Sequence, residues 1–345
     1  MKALTFGSAM IDIITVVNAD SIEQISLSNA HQQFLLVEPG RKVEADSITR
    51  HIGGGALNSG ICFSRLGCEV SPVVKIGDDV ARDHVIHHCK INNLVTDRFL
   101  TDEGGTTGSA VMIASHEKNA AIFTQRGANT KLDDPDLDAI GDVEADIVHA
   151  APLSGDSAKM LPRISELAAE KGAFFSSNPG IRQITTRTSS VLAAARNMSL
   201  IAMNDVEAAA LIPCLSALDD TLEWGKSTGD GPKLKSQGVQ IELLRFCEAL
   251  HAHGPRNVLV TFGSDGAWLY DGDQLHHQEI VPVKVAGTAG AGDSFVSTLA
   301  WGLKCELGAK NALLLAAHNA SSVVSFVNTT DGLLDRKELE KRSGL

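Results

Sequence analysis

Gly287-Thr-Ala-Gly290-Ala-Gly292-Asp293, followed by Ser294-Phe-Val-Ser-Thr-Leu-Ala-Trp-Gly302, joins a run of small residues to an apolar-periodic helix that starts near Asp293. Glycines at 290 and 292 remove side chains, so successive backbone N–H groups can converge on an anion. The helix macrodipole adds partial positive charge at the same place. Charge developing on a transferring phosphoryl group is stabilised there without a lysine, so Gly290, Ala291 and Gly292 form a candidate anion hole. Asp293 has two compatible readings: an N-cap, or a general base that accepts the proton of an attacking hydroxyl. No Gly-Lys-Ser/Thr follows, so this is not a Walker A loop.

The chain around this loop is long enough for a large core, with 345 residues of which 43% are apolar. Its formal net charge of -12 argues against nucleic acid as a partner, which calls for a basic surface. Local phosphate binding by backbone amides remains open. The six cysteines are scattered without the C-x-x-C spacing of a zinc or redox site, which fits reduced thiols and a cytoplasmic enzyme. Asp12 interrupts the apolar start, so a buried strand explains it better than a leader peptide. No apolar run approaches the roughly 18 residues of a membrane span.

Apolar runs at Leu4–Phe6, Ile11–Val17, Val70–Ile76, Ile147–Ala150, Ala173–Ser177, Leu200–Met203 and Val258–Phe262 read as strands. They alternate with helical patterns such as Ala56–Leu66, Asp156–Lys171, Asp205–Leu211, Ile241–His253, Asp293–Leu307 and Ala309–Val327. That order builds a mostly parallel sheet covered on both faces, a three-layer α/β sandwich. Two segments, about 15–50 and 106–125, break the rhythm. In the first, Phe34–Val37 and Lys42–Ala45 flank Pro39-Gly40 and read as a hairpin. With strands at Ala110–Ala114 and Ala120–Gln125 it would form a small β-lid within one domain spanning 1–345. The polar stretch Pro213–Gln240, with Trp224, reads as a surface excursion.

His51-Ile-Gly53-Gly54-Gly55-Ala-Leu-Asn58 opens a helix with no clear strand before it. As a dinucleotide fingerprint it fails, because Asn58 replaces the third glycine. It reads instead as close backbone approach plus an amide that can hold a polyhydroxylated ligand, or as glycines for tight helix packing. Polar or glycine residues (Asp12, Asn178, Asn204, Gly263) stand at the ends of strands, where open parallel sheets bind ligands. Asn204 and Glu207 also have capping-box spacing.

Asp12, Gly53-Gly54-x-x-x-Asn58, Gly77-Asp78-Asp79, Asn204-x-x-Glu207, Thr261-x-Gly263-Ser264-Asp265-Gly266 and Gly290-Ala-Gly292-Asp293 occur in that order. In this the chain resembles the ribokinase-like (PfkB) family of sugar and nucleoside kinases from Phe6 to about Gly332. The resemblance implies a β-lid over the acceptor and an ATP-dependent kinase with Mg2+. Asp12, Gly53, Gly54 and Asn58 would contact acceptor hydroxyls, with Asp293 as base. Asn204 and Glu207 would organise Mg2+ and phosphates through water, with no direct protein ligand to the metal. Thr261, Gly263, Ser264, Gly266 and Gly292 would line the ATP site, with His318 or Asn319 near adenine. Some relatives pair as homodimers through the lid.

Three departures mark this chain. Gly287 stands where the family usually carries Asp, commonly a ligand in members activated by a monovalent cation, which argues against such activation. Arg82 replaces a glycine. Ser176-Ser-Asn178-Pro179-Gly180-Ile-Arg182 replaces the common Asp-x-Asn-Pro-Arg. The expected acceptor is a sugar or sugar acid. The alternatives are a nucleoside acceptor and a non-catalytic ligand-binding relative. Arg41, Lys42 and Arg126 are candidate contacts to an acidic acceptor or ordinary solvated charges.

Overall fold

The computed structural model describes residues 1–17, 23–27, 32–36, 39–40, 42–115, 120–218, 231–236 and 238–345. The strands are β1 (Lys2–Phe6), β2 (Met10–Val17), β3 (Glu23–Leu27), β4 (Gln32–Leu36), β5 (Ala45–Gly53), β6 (Glu69–Gly77), β7 (Phe99–Asp102), β8 (Gly108–Ser115) and β9 (Ala120–Gln125). They continue with β10 (Ile147–Ala150), β11 (Phe174–Ser177), β12 (Leu200–Asn204), β13 (Lys233–Ser236), β14 (Val239–Glu242), β15 (Asn257–Thr261), β16 (Ala267–Tyr270) and β17 (Leu275–Gln278). The α-helices are α1 (Gly55–Arg65), α2 (Val80–Ile91), α3 (Asp134–Ala139), α4 (Leu161–Glu170), α5 (Ile181–Thr186), α6 (Thr188–Ala195), α7 (Asp205–Leu218), α8 (Leu243–His251), α9 (Ala291–Lys304), α10 (Ala309–Val323) and α11 (Arg336–Ser343).

Nine strands form the central sheet in the order β17-β16-β15-β12-β11-β10-β1-β6-β7. It is parallel from β15 to β7, while β16 and β17 add antiparallel strands at one edge. Period-two alternation sends Leu4, Val148, Ile201 and Val258 to one face and Ala3, Ile147, Leu200 and Leu259 to the other. Both sets are buried, so the strands read as unbroken apolar runs. One face packs under α4, α6, α7 and α8; the other packs under α1, α2, α9, α10 and α11. Each fully buried large side chain, such as Phe6, Phe175 or Trp301, contributes about 1.5–3 kcal/mol. The mixed α/β sandwich expected from the sequence is the one formed.

A second sheet, β5-β2-β8-β9, stands apart from the first. Its loop is clamped at Gly77-Asp78-Asp79. The Asp79 carboxylate accepts from Thr107 N and Thr107 Oγ1, both at 2.7 Å, and Gly77 N donates to Thr107 Oγ1 at 3.1 Å. Burial alone would raise the Asp79 pKa, but these bonds and those from the α2 amides outweigh it and hold the carboxyl below its ordinary value.

Several boundaries differ from the sequence expectation. A strand does precede Gly53: β5 pairs antiparallel with β2, Asp12 facing His51. It is mostly exposed, so it carries no apolar run to betray it. The segment containing Phe34 pairs backward with β3, Ile25 opposite Phe34, rather than forward across Pro39-Gly40; Val37, Glu38 and Arg41 lie outside the described residues. A 3-10 turn, Gly155–Met160, precedes α4, whose first turn carries Pro162, and so splits the long helix expected at 156–171. Ile241 belongs to the β13–β14 hairpin, so α8 begins at Leu243. In the expected excursion, α7 runs on through Pro213, and residues 219–230, including Trp224, lie outside the described residues.

Candidate active site

α9 begins at Ala291, with Gly290 as its N-cap in the left-handed region at φ 80°. Asp293 is therefore in the first turn and is not the N-cap, since the left-handed glycine starts the helix earlier. A Cβ at Gly290 would lie 2.8 Å from Thr329 Cβ and Thr329 O, so only glycine fits. At Gly292 the same test meets open space, leaving the first-turn amides approachable.

The Asp293 carboxylate accepts from Asn58 Nδ2 at 2.8 Å, and Asn58 Oδ1 accepts from Thr329 Oγ1 at 2.8 Å. Asp293 keeps a little exposed surface, yet the surrounding protein desolvates it. Burial raises its pKa above the carboxylate range, and hydrogen bonds from Asn58 and Asn178 oppose this. Asn178 reaches the carboxylate from the end of β11, and its Oδ1 is buried without a partner in the protein. Thr329 was missed by sequence reasoning. Its only signal is the turn cluster Asn328-Thr-Thr-Asp331-Gly332 after α10.

Asp12 approaches the same place from β2. Its Oδ2 sits where a Gly53 side chain would begin, 2.3 Å from the built Cβ. Burial raises the Asp12 pKa, and His51 opposite it lowers it. Gly54, at φ 103°, is the N-cap of α1 and would strike Ser8 O with a side chain, while Gly55 is pressed on Ala151. Gly54 and Gly55 thus serve close packing, whatever else Gly54 does for a ligand.

On the other side of α9 lies a cavity of about 570 Å³. Thr261, Gly263, Ser264, Gly266, Ala291 and Gly292 line it, together with the 278–285 segment and Phe295. Of the sequence-derived nucleotide set, Thr261, Gly263, Ser264, Gly266 and Gly292 are brought together here, while Asn204, Glu207, His318 and Asn319 do not line the cavity. Asn319 is fully buried: it donates to Thr298 Oγ1 at 2.8 Å and accepts from Leu334 N at 3.0 Å, tying α9, α10 and the C-terminal segment. His318 is half-buried near Arg342, whose charge, after burial itself, depresses the imidazole pKa. From α10 the cavity wall is made instead by Ala317, Ala320 and Ser321, with Val324 just past the end of the helix.

Asn204 and Glu207 form a reciprocal capping box, with Asn204 N donating to Glu207 Oε2 at 3.0 Å and Glu207 N to Asn204 Oδ1 at 2.8 Å. Burial raises the Glu207 pKa, opposed by the Asn204 and Ile181 amides. No group of three or more His, Cys, Asp or Glu able to hold a metal occurs among the described residues, and none of their helices is long and apolar enough to cross a membrane.

A family model described as pfkB family carbohydrate kinase matches residues 2–336. A 5-dehydro-2-deoxygluconokinase 2 of Bacillus cereus is 25% identical over 310 residues, 88% of this chain and 89% of that protein. In fold, the chain is similar to Arabidopsis thaliana ribokinase complexed with ribose and ATP, with TM-score 0.76 at 20% identity over 100% and 99% of the two chains. Methanocaldococcus jannaschii nucleoside kinase follows with TM-score 0.72 at 19% identity over 100% and 98%. With a carboxylate at a glycine-started helix beside a ligand-sized cavity, and a family match over nearly its whole length, the chain belongs to the pfkB family of carbohydrate kinases, phosphotransferases acting on a sugar hydroxyl.

Proposed function

We propose that the chain transfers the γ-phosphoryl group of ATP to a hydroxyl of a sugar or sugar acid, with Asp293 as general base and the Gly290–Gly292 amides as anion hole. The observation that carries this is the position of Asp293: a desolvated carboxylate in the first turn of α9, between Asp12 and Asn58 on one side and the 570 Å³ cavity on the other. A base with a raised pKa binds the hydroxyl proton more strongly. The hydroxyl oxygen attacks the γ-phosphorus, its proton passes to Asp293, and ADP leaves. Asp12 and Asn58 orient the acceptor, and the nucleotide occupies the cavity. The sheet β5-β2-β8-β9 acts as the lid, and its exposed strands Ala45–Gly53 and Ala120–Gln125 are where a second copy would pair.

The fit for Mg2+ rests on Glu207. Its carboxylate is fixed by the Asn204 and Ile181 amides, which leaves lone pairs for the water shell of a nucleotide-bound ion. When bound, Mg2+ neutralises charge on the phosphate oxygens. The loss of the usual Asp at 287 has a local counterpart: a Cβ there would lie 3.0 Å from Phe326 O and 3.2 Å from Val327 O. Turnover is accordingly expected to be the same in potassium and sodium buffers; several-fold activation by potassium would contradict this.

The acceptor named for the Bacillus cereus relative, 5-dehydro-2-deoxygluconate, heads a test panel of sugars, sugar acids and nucleosides with ATP and Mg2+, read by ADP release. Asp293→Asn is expected to lower turnover by about 10²–10⁴-fold with smaller change in nucleotide affinity. Near wild-type turnover on the best acceptor would remove Asp293 from the base role. Tight ligand binding without ADP release across the panel would leave a non-catalytic relative.

A further inference from the structure

We propose that His51 is a positioning residue for the reaction: through Asn328 it ties the second sheet to the turn that aligns Asp293, so that seating of the acceptor and alignment of the base are coupled. The inference rests on the phosphotransfer reading of the same site and adds to it a residue that acts through its neighbours.

His51 and Asp12 stand directly opposite each other on antiparallel strands, so their side chains leave the same face of the second sheet with Cβ atoms about 5 Å apart. Asn328 lies in the turn after α10 and spends its whole amide there. Its Oδ1 accepts from Asp331 N at 2.9 Å and from Thr330 N at 3.2 Å, which builds the turn. Its Nδ2 donates one hydrogen to Asp331 Oδ2 at 2.6 Å and turns the other toward His51 Nδ1 at 3.3 Å. An amide amino group only donates, so His51 Nδ1 accepts and the ring proton sits on Nε2, 2.9 Å from Thr49 Oγ1. Thr49 shares this face of β5 with His51, and the imidazole is thus held at both nitrogens.

The sheet and the turn meet a second time one step further along each. A Cβ built on Gly53 would lie 2.3 Å from Asp12 Oδ2 and 3.6 Å from Thr329 Oγ1, so the acceptor-side carboxylate and the Thr329 hydroxyl converge on one glycine. Thr329 Oγ1 then donates to Asn58 Oδ1, and Asn58 Nδ2 to Asp293 Oδ2, both at 2.8 Å. Asp12, His51, Asn328, Thr329, Asn58 and Asp293 therefore form a continuous path in which each member is the next one's strand partner, chain neighbour or hydrogen-bond partner. The bond to His51 is not needed to close the turn, which Oδ1 and the Asp331 bond already do. What it adds is a hold on β5, a strand that is otherwise mostly exposed. His51 itself is half-buried, so little packing is lost with its side chain, while the turn that carries Thr329 loses its tie to the sheet that carries Asp12.

The test is a double-mutant cycle with saturating ATP, using whichever sugar, sugar acid or nucleoside of the panel releases the most ADP. His51→Leu should lower kcat by about three- to tenfold and leave the KM for ATP in place. His51→Asn, whose Oδ1 can stand where Nδ1 stands, should recover most of the loss. Because the tie acts through Thr329, His51→Leu should add almost nothing in a Thr329→Val background, the double variant staying within about twofold of Thr329→Val alone. Fully additive losses overturn the proposal by making the two contacts independent. A loss confined to the KM for the acceptor overturns it as well, by leaving His51 a neighbour of Asp12 and nothing more. If no acceptor gives ADP above the Asp293→Asn background, the phosphotransfer reading fails, and hydrogen exchange of the ligand-free protein decides the tie. His51→Leu should then speed exchange at segment 326–332 as well as at 49–53, and His51→Asn should not; unchanged exchange at 326–332 overturns the tie.

Discussion

Asn58 turns its carbonyl toward Thr329 and its amino group toward Asp293, and that order of contacts bears on the charge state of the proposed base. If the Thr329 hydroxyl is removed, nothing holds the Asn58 oxygen away from the carboxylate. Asp293 then loses a donor that opposes its burial, and its pKa rises further. A base works deprotonated, so activity is lost as pH falls through its pKa; a higher pKa moves that loss to higher pH. Thr329→Val should therefore shift the acid limb of kcat/KM upward and lower turnover about tenfold, the scale of one hydrogen bond, while Thr329→Ser restores both. A drop in rate with an unmoved limb would make Thr329 merely structural. The place of Asp293 at the start of a helix after a glycine-rich turn was legible in the sequence because the residues that set it are its immediate neighbours. Thr329 was not, since it meets Asn58 across 271 positions and its residue type is common in any turn.

At the scale of elements, the N-terminus of α9 separates two glycines that look alike in sequence. Gly290 needs its left-handed backbone and its contact with Thr329, whereas Gly292 faces open space. Gly290→Ala should lower the melting temperature, with about 1–2 kcal/mol from the backbone alone and more from the collision, and should reduce turnover. Gly292→Ala should leave the melting temperature in place while weakening nucleotide binding; equal stability of the two variants would contradict this. The same contrast between local and distant causes explains which elements could be read. β1, β10, β11, β12 and β15 are buried on both faces and announce themselves as apolar runs. β5 exposes most of Ala45–Gly53, and α2 buries only Val85 and Cys89, so neither carries a pattern. Asn319 misled for the opposite reason: a polar residue on a helix that helps wall the cavity beside α9 resembles a ligand contact until its three core partners are seen.

In the whole molecule, the second sheet joins the main body through β2, through Gly53 at the end of β5 and through the Asp79–Thr107 clamp. If it closes over the acceptor, hydrogen exchange at segments 51–55 and 103–108 should slow when an acceptor and ADP are added, while the core strands β10–β12 stay as protected as before. Slowing spread evenly over the central sheet would argue against closure. Because Thr329 both seats Gly290 and aligns Asn58, the proposed base reaches its final alignment only once the turn after α10 has packed on the start of α9, so docking of that turn and competence for proton transfer are one folding event.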